Sequence, residues 1–148
     1  MLEQIFTITI SADNKKHKPF INIKFQKHLT QIENSWWNDF TLDDLQKQWN
    51  LAYERFNMHK LSTCFITAYS YEHELLEMWV LYPKKSSIVI QHRCITNPEE
   101  FHIITKDQII TVSNSFILIP EYSQFNFKGF ILPEWKIPFN IDTKGNQS

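Results

Sequence analysis

Alternating apolar and polar residues open the chain. Two runs, Ile5 to Ile10 and Phe20 to Phe25, follow the period of two that is typical of β-strands. The stretch between them, Ser11 to Pro19, is polar. The N-terminal region therefore predicts a β-hairpin with a long loop.

A period of 3.6 replaces this alternation from Thr41 onward and predicts a helix over residues 41–57. Thr41 can cap the first turn, and Asp43 and Asp44 place negative charge at the positive end of the helix dipole. Asn57 marks the expected end. The apolar stripe, which we expect to pack on a sheet, consists of Leu42, Leu45, Trp49, Ala52, Tyr53 and Phe56.

Three further strands are predicted in succession, with short polar turns between them. They span Ser62 to Tyr69, Leu75 to Tyr82 and Ser87 to Ile95. This spacing indicates an antiparallel meander. The middle strand has apolar residues on both faces, so we expect it to be central.

The C-terminal third has weaker patterns. Thr105 to Ser113 fits a short helix with a capping box, which we favour, but its β-branched residues suit a strand as well. The apolar run from Phe116 to Ile119 predicts a strand. Pro120, Pro133 and Pro138 divide the rest into short extended pieces that can lie at a sheet edge.

Together these elements predict an α+β fold, with a mainly antiparallel sheet of five or six strands and the 41–57 helix packed on one face. The chain has 148 residues, of which 43% are hydrophobic and 21% charged. This composition is typical of one globular domain. We assign residues 1–141 to that domain and 142–148 to a loose tail.

The hydropathy and charge of the chain limit where the protein can reside in the cell and which kinds of partner it can bind. The longest apolar runs, such as Phe116 to Pro120, are far shorter than the roughly 20 residues of a membrane span. Met1 to Ile10 lacks the pattern of a signal peptide, so we expect a cytoplasmic protein. The net charge of −1 gives no global attraction to nucleic acid or anionic lipid. Cys64 and Cys94 lie in apolar strands and are expected to be buried free thiols.

The sequence contains no motif that predicts catalysis or cofactor binding. Gly129 and Gly145 are the only glycines, which excludes phosphate-binding loops. The six histidines lack the spacing of a zinc helix, and no Cys-x-x-Cys motif accompanies them. We therefore predict no catalytic residues, no cofactor, no metal site and no enzymatic activity, leaving open only a metal site formed through tertiary contacts.

Binding of single-stranded nucleic acid is the alternative function. A basic loop contains Asn14, Lys15, Lys16, His17 and Lys18, and 15% of all residues are aromatic. Bases could stack on aromatic side chains beside such a loop. However, most of the aromatic residues fall on the predicted core faces, so nucleic-acid binding is the less favoured function.

Local acidic groups are better suited to a basic protein partner, because complementary charge speeds encounter and selects partners. The turn between the first two meander strands carries the first candidates, and Tyr71 could add an aromatic anchor. We expect the charge of these turn residues to stay solvated. The predicted partner-binding residues are Tyr71, Glu72, Glu74, Glu77, Asp39, Asp43, Asp44, Glu99 and Glu100.

Several of these segments resemble one family, the immunity proteins of contact-dependent growth inhibition (CdiI). Matching features include an aromatic pair before a capped helix, a tryptophan within that helix, and a strand with the sequence Trp-Val-Leu-Tyr. The similarity is to the Enterobacter-type members, whose fold is Whirly-like. The matching residues are Trp37, Phe40, Leu45, Trp49, Ala52, Trp79, Val80, Leu81, Tyr82, Val89, Gln91, Gly129, Ile131, Glu134 and Trp135.

This resemblance implies a bacterial protein that binds the C-terminal toxin domain of a neighbouring CdiA-type effector in a one-to-one complex. Such toxins are often nucleases, which are usually basic because they hold phosphates. Neutralisation requires a complementary surface and no catalytic residues. The resemblance therefore agrees with the acidic candidates above.

Overall fold

A computed structural model of the chain describes residues 1–12, 19–34 and 37–139. The lysine-rich loop Asn14 to Lys18 and the predicted 142–148 tail lie outside the described residues. In the described part, the strands form two antiparallel sheets, of three and four strands, instead of one sheet of five or six.

The first sheet contains β1 (Thr7–Ala12), β2 (Pro19–Phe25) and β3 (His28–Glu33), in that order. β1 and β2 pair as the predicted hairpin. β3 was not predicted, because the side chains that it turns inward are largely polar. His28 packs against Phe25, while the apolar Leu29 is 60% exposed.

The second sheet has the order β4 (Thr63–Ser70), β5 (Leu75–Pro83), β6 (Ser87–Ile95) and β7 (Glu134–Pro138). The predicted meander is confirmed, with β5 between two partners. β7 is one of the extended pieces between prolines, and it pairs with β6 at the edge of the sheet.

Both faces of the second sheet are covered. On one face, Phe6 and Phe25 of the N-terminal region pack against Phe65 and Trp79, and Trp135 completes this aromatic core. Trp79 is fully buried, as the sequence predicts.

The opposite face is covered by the chain between β6 and β7. The Tyr82 hydroxyl donates to the Pro120 carbonyl oxygen at 2.9 Å, and the Gln91 side chain donates to the Ser123 carbonyl oxygen at 2.8 Å. Both faces of the sheet at β5 are therefore shielded from solvent, which is why β5 has apolar residues on both faces.

Helix α1 (Leu42–His59) begins where the sequence predicts and ends two residues later than predicted. Thr41 and Asp44 form a reciprocal capping box, and Lys60 in the left-handed conformation ends the helix. The Asn57 side chain instead accepts a hydrogen bond from the Leu2 N–H. Asn57 therefore ties α1 to the N-terminus of the chain.

α1 lies along the β4 edge of the second sheet, and it does not extend across a face. The Gln48 carboxamide donates to the Cys64 carbonyl oxygen at 2.8 Å and accepts from the Ile66 N–H at 3.0 Å. The Trp49 indole donates to the Ile66 carbonyl oxygen at 2.8 Å. Side chains of α1 thus form hydrogen bonds with outward-facing backbone groups of β4, which a neighbouring strand would otherwise make.

Asn38 repeats this arrangement one step further along β4. Its carboxamide donates to the Thr67 carbonyl oxygen at 3.0 Å and accepts from the Tyr69 N–H at 3.2 Å. A β-bulge between Ile66 and Ala68 separates the two capped stretches. Because the bulge shifts the strand by one residue, the outward-facing backbone groups beyond it belong to Thr67 and Tyr69.

Two predictions for the C-terminal third are wrong. The second helix, α2, spans Pro98–Thr105 and ends where a helix over 105–113 was expected to begin. Asn97 caps it and Pro98 occupies its first turn, which are start signals that the sequence does contain. The expected strand at 116–119 is a 3-10 helix, Ser115–Leu118.

Replacing Gln48 with alanine should destabilise the fold by about 2 to 4 kcal/mol, because two buried backbone groups of β4 lose their partners. Urea unfolding monitored by tryptophan fluorescence measures this loss. Gln46→Ala is the matched control, since Gln46 is exposed on the same helix, and its cost should stay below about 0.5 kcal/mol. Equal stability of the two variants would contradict the edge-capping role.

Candidate functional site

The turn between β4 and β5 carries three of the predicted binding residues. Tyr71, which is 50% exposed, and Glu72 lie at the surface. The Tyr71 N–H donates to the Asp39 carboxylate at 2.8 Å. Asp39 therefore holds this turn beside the start of α1, and its carboxylate has a structural role.

α2 lies next to the same turn. Glu74 and Asp107 each bind one ring nitrogen of His102, with 2.8 Å between Asp107 Oδ1 and His102 Nδ1. The Glu74 hydrogen bond raises the pKa of His102 above its ordinary value. The pairing of Leu76 with Ile95 puts the end of β6 beside the β4–β5 turn, so Glu99 and Glu100, in the first turn of α2 just after β6, lie at the same end of the molecule.

The acidic residues of α1 also lie at this end. Asp44 belongs to the capping box, and Asp43 pairs with Lys47 at 3.0 Å. We call this surface the acidic end, and the structure brings together there eight of the nine predicted binding residues. The acidic end comprises Asp39, Asp43, Asp44, Tyr71, Glu72, Glu74, Glu99 and Glu100.

Glu77 is the exception, and the expectation that its charge is solvated is wrong. Its side chain is only 21% exposed and lies on the sheet face. One carboxylate oxygen is 2.8 Å from His92 Nε2, and the other accepts from the Thr67 hydroxyl at 2.8 Å. Cys94, opposite Glu77 in the β5–β6 register, completes the cluster.

Cys94 is exposed, in contrast to its predicted burial, whereas Cys64 is buried as expected. The Cys94 sulfur is 3.4 Å from His92 Nε2 and 3.7 Å from the Glu77 carboxylate. The side chains of Glu77, His92 and Cys94 thus offer one nitrogen, one oxygen and one sulfur within a small volume. Their separation along the chain conceals this grouping, and only the strand register reveals it.

The cluster holds an ion pair. Burial favours the neutral imidazole, but hydrogen bonds with Cys94 and Glu77 outweigh burial and raise the pKa of His92 to about 9. Burial also opposes the charged form of Glu77, yet hydrogen bonds from His92 and Thr67 lower its pKa below the ordinary value. Near neutral pH, His92 is therefore a cation beside the Glu77 carboxylate.

A pocket of about 180 Å³ adjoins the cluster. It lies between β3 and the β5–β6 pair, and both Glu77 and Cys94 reach its wall. Apolar side chains form most of the remainder, including Ile32, Trp37 and Leu75. The cluster is thus accessible from a small, mainly apolar cavity.

An exposed aromatic hairpin precedes β7, in the region where the sequence predicts only short extended pieces between prolines. Residues 124–132 form a tight loop closed by a bridge between Phe125 and Ile131. Gly129 provides the positive φ of 86° that its tip requires. The exposed residues of this aromatic hairpin are Phe125, Phe127, Phe130 (67% exposed) and Ile131 (78% exposed).

The described helices include none that is both long and apolar enough to cross a bilayer. Most aromatic residues of the two sheets, such as Phe25 and Trp79, are buried against each other. They are therefore not available as a platform on which bases could stack.

These features define an α+β protein with two packed antiparallel sheets and a long helix along one sheet edge. No protein-family model matches the sequence, and a search of curated proteins finds no significant match. Among solved structures, a chain of the CdiA-CT/CdiI toxin and immunity complex from Enterobacter cloacae has a similar fold. The TM-score is 0.64, with 13% sequence identity, over 90% of this chain and 90% of that chain.

His92 should keep its proton well above neutral pH and lose it near pH 9. Because its pKa exceeds the ordinary value of 6.5, the stability that it contributes is complete below pH 6.5 and is lost as the pH rises to about 9. NMR titration of the histidine ring protons measures the pKa directly. Glu77→Gln should lower the pKa of His92, and titration of the wild type near pH 6.5 would contradict the ion pair.

Proposed function

We propose that this chain is an immunity protein that binds and neutralises the C-terminal toxin domain of a neighbouring CdiA-type effector. The observation that carries the proposal is the fold shared, over nearly the full length of both chains, with a chain of a toxin and immunity complex. The protein acts by binding, in a one-to-one complex in the cytoplasm, and its toxin is a nuclease. We also propose that the fold is Whirly-like, as in the Enterobacter-type immunity proteins.

The negative charge of the acidic end favours binding to a basic partner. It gathers carboxylates from three elements, the start of α1, the β4–β5 turn and the first turn of α2. A nuclease presents positive charge where it binds phosphates. Opposite charge on the immunity protein therefore steers the encounter and covers that surface.

The aromatic hairpin supplies a second type of contact. Exposed aromatic side chains are frequent in the centres of protein interfaces, where their burial contributes much of the affinity. The hairpin leads into β7 beside the second half of β6, since the His92 N–H donates to the Pro133 carbonyl oxygen at 3.2 Å. That half of β6 leads into α2, so the hairpin and the acidic end lie toward the same end of the sheet.

Charge reversal at Glu72 and Glu99 should slow association with the toxin domain encoded beside this gene by about tenfold at low salt. Both residues are exposed, so folding should be preserved. Surface plasmon resonance at several salt concentrations separates the association and dissociation rates. The variant should also show a weaker salt dependence than the wild type.

Glu54→Lys/Glu3→Lys is the matched control, because it makes the same change of charge on exposed residues away from the acidic end. Failure of the wild-type pair to associate would refute the immunity function. Association that is slowed equally by both double variants would refute only the placement of the interface.

Single-stranded nucleic acid should bind weakly, because most of the sheet aromatics are buried and the net charge is −1. Fluorescence anisotropy with labelled oligonucleotides at physiological salt measures this. Micromolar or tighter binding that weakens steeply with salt would favour the alternative function. Substitution of Lys15, Lys16 and Lys18 would then locate the contact.

A further inference from the structure

The arrangement of Glu77, His92 and Cys94 suits a metal ion better than it suits catalysis by a thiol. In a catalytic triad, the base uses one ring nitrogen for the nucleophile and the other for the carboxylate. Here the Cys94 sulfur and the Glu77 carboxylate both approach the same atom, Nε2 of His92. Three potential ligand atoms therefore converge on one point.

The distances fit tetrahedral zinc. With ordinary bond lengths, a tetrahedral Zn²⁺ spaces its nitrogen, oxygen and sulfur ligands ~3.3 to 3.6 Å apart. The sulfur lies 3.4 Å from the nitrogen and 3.7 Å from the oxygen, close to these values. The nitrogen and oxygen are 2.8 Å apart and must separate by about 0.5 Å, which a small rotation of the carboxylate permits.

Neighbouring side chains hold two of these ligands in place. Thr67 donates to the Glu77 oxygen that does not face His92. The His92 ring stacks on the buried Trp79 ring, with centroids 4.2 Å apart and an interplanar angle of 11°. Such supporting contacts orient the ligands in metal sites.

We propose that Glu77, His92 and Cys94 form a Zn²⁺ site with three protein ligands and a fourth position open to the adjoining pocket. The ligand set combines the three atom types that zinc accepts in proteins. Because the fourth position faces a cavity of about 180 Å³, a water molecule occupies it when no other ligand binds. The site does not depend on the proposed immunity function.

The test is zinc binding by the full chain after removal of metal with a chelator. Competition with a chromophoric zinc indicator should show one Zn²⁺ per chain. Cobalt in place of zinc should give the intense near-ultraviolet absorption of a thiolate bond, which requires Cys94 as a ligand. Zinc binding should also release protons, so the affinity should fall at low pH.

Three substitutions should weaken zinc binding while circular dichroism shows a native fold. Cys94→Ser and His92→Gln remove ligands and should lower the affinity about 100-fold or more, which exceeds the effect of losing a supporting contact. Thr67→Val removes the hydrogen bond to Glu77 and should lower it about tenfold.

His102→Gln is the matched control, because His102 also lies between two carboxylates but has no sulfur beside it. This control should bind zinc like the wild type. Absence of one-to-one binding, unchanged binding in Cys94→Ser and His92→Gln, or loss of binding in His102→Gln would each overturn the proposal.

Discussion

The backbone edge of β4 is satisfied by side-chain amides, and the positions of the surrounding elements depend on this contact. Gln48 and Asn38 each donate to one β4 carbonyl group and accept from one β4 N–H, as a neighbouring strand would. Because a buried backbone group without a partner is costly, α1 must lie close beside β4. The segment before α1 must lie there too, which places Asp39 against the β4–β5 turn and assembles the acidic end.

The sequence predicts the regular parts of the fold well, because their hydrophobic period is undisturbed. The meander and the start of α1 follow directly from the pattern of apolar residues. β3 escapes prediction because it turns His28 inward and Leu29 outward. The division into two sheets also escapes prediction, since residue alternation identifies strands and does not identify which strands share hydrogen bonds.

The candidate sites, too, can be predicted from the sequence only in part. The acidic end combines residues that are far apart in the chain, and only tertiary packing unites them. Glu77 appears in sequence to belong with Glu72 and Glu74, yet it is the third residue of β5 and its side chain lies against the sheet. Its partners, His92 and Cys94, follow from the β5–β6 register, which the spacing of histidines and cysteines along the chain does not reveal.

The order of these elements along the chain affects how the protein is synthesised. Asn38 and Gln48 both precede β4, and their contacts with β4 span only 16 to 31 residues. An uncapped strand edge can pair with other chains, which leads to aggregation. Asn38 and Gln48 leave the ribosome before β4 does, so the outer edge of β4 can be capped as it emerges and before β5 has emerged. Early capping of β4 therefore reduces the chance that the nascent chain pairs with strands of other chains.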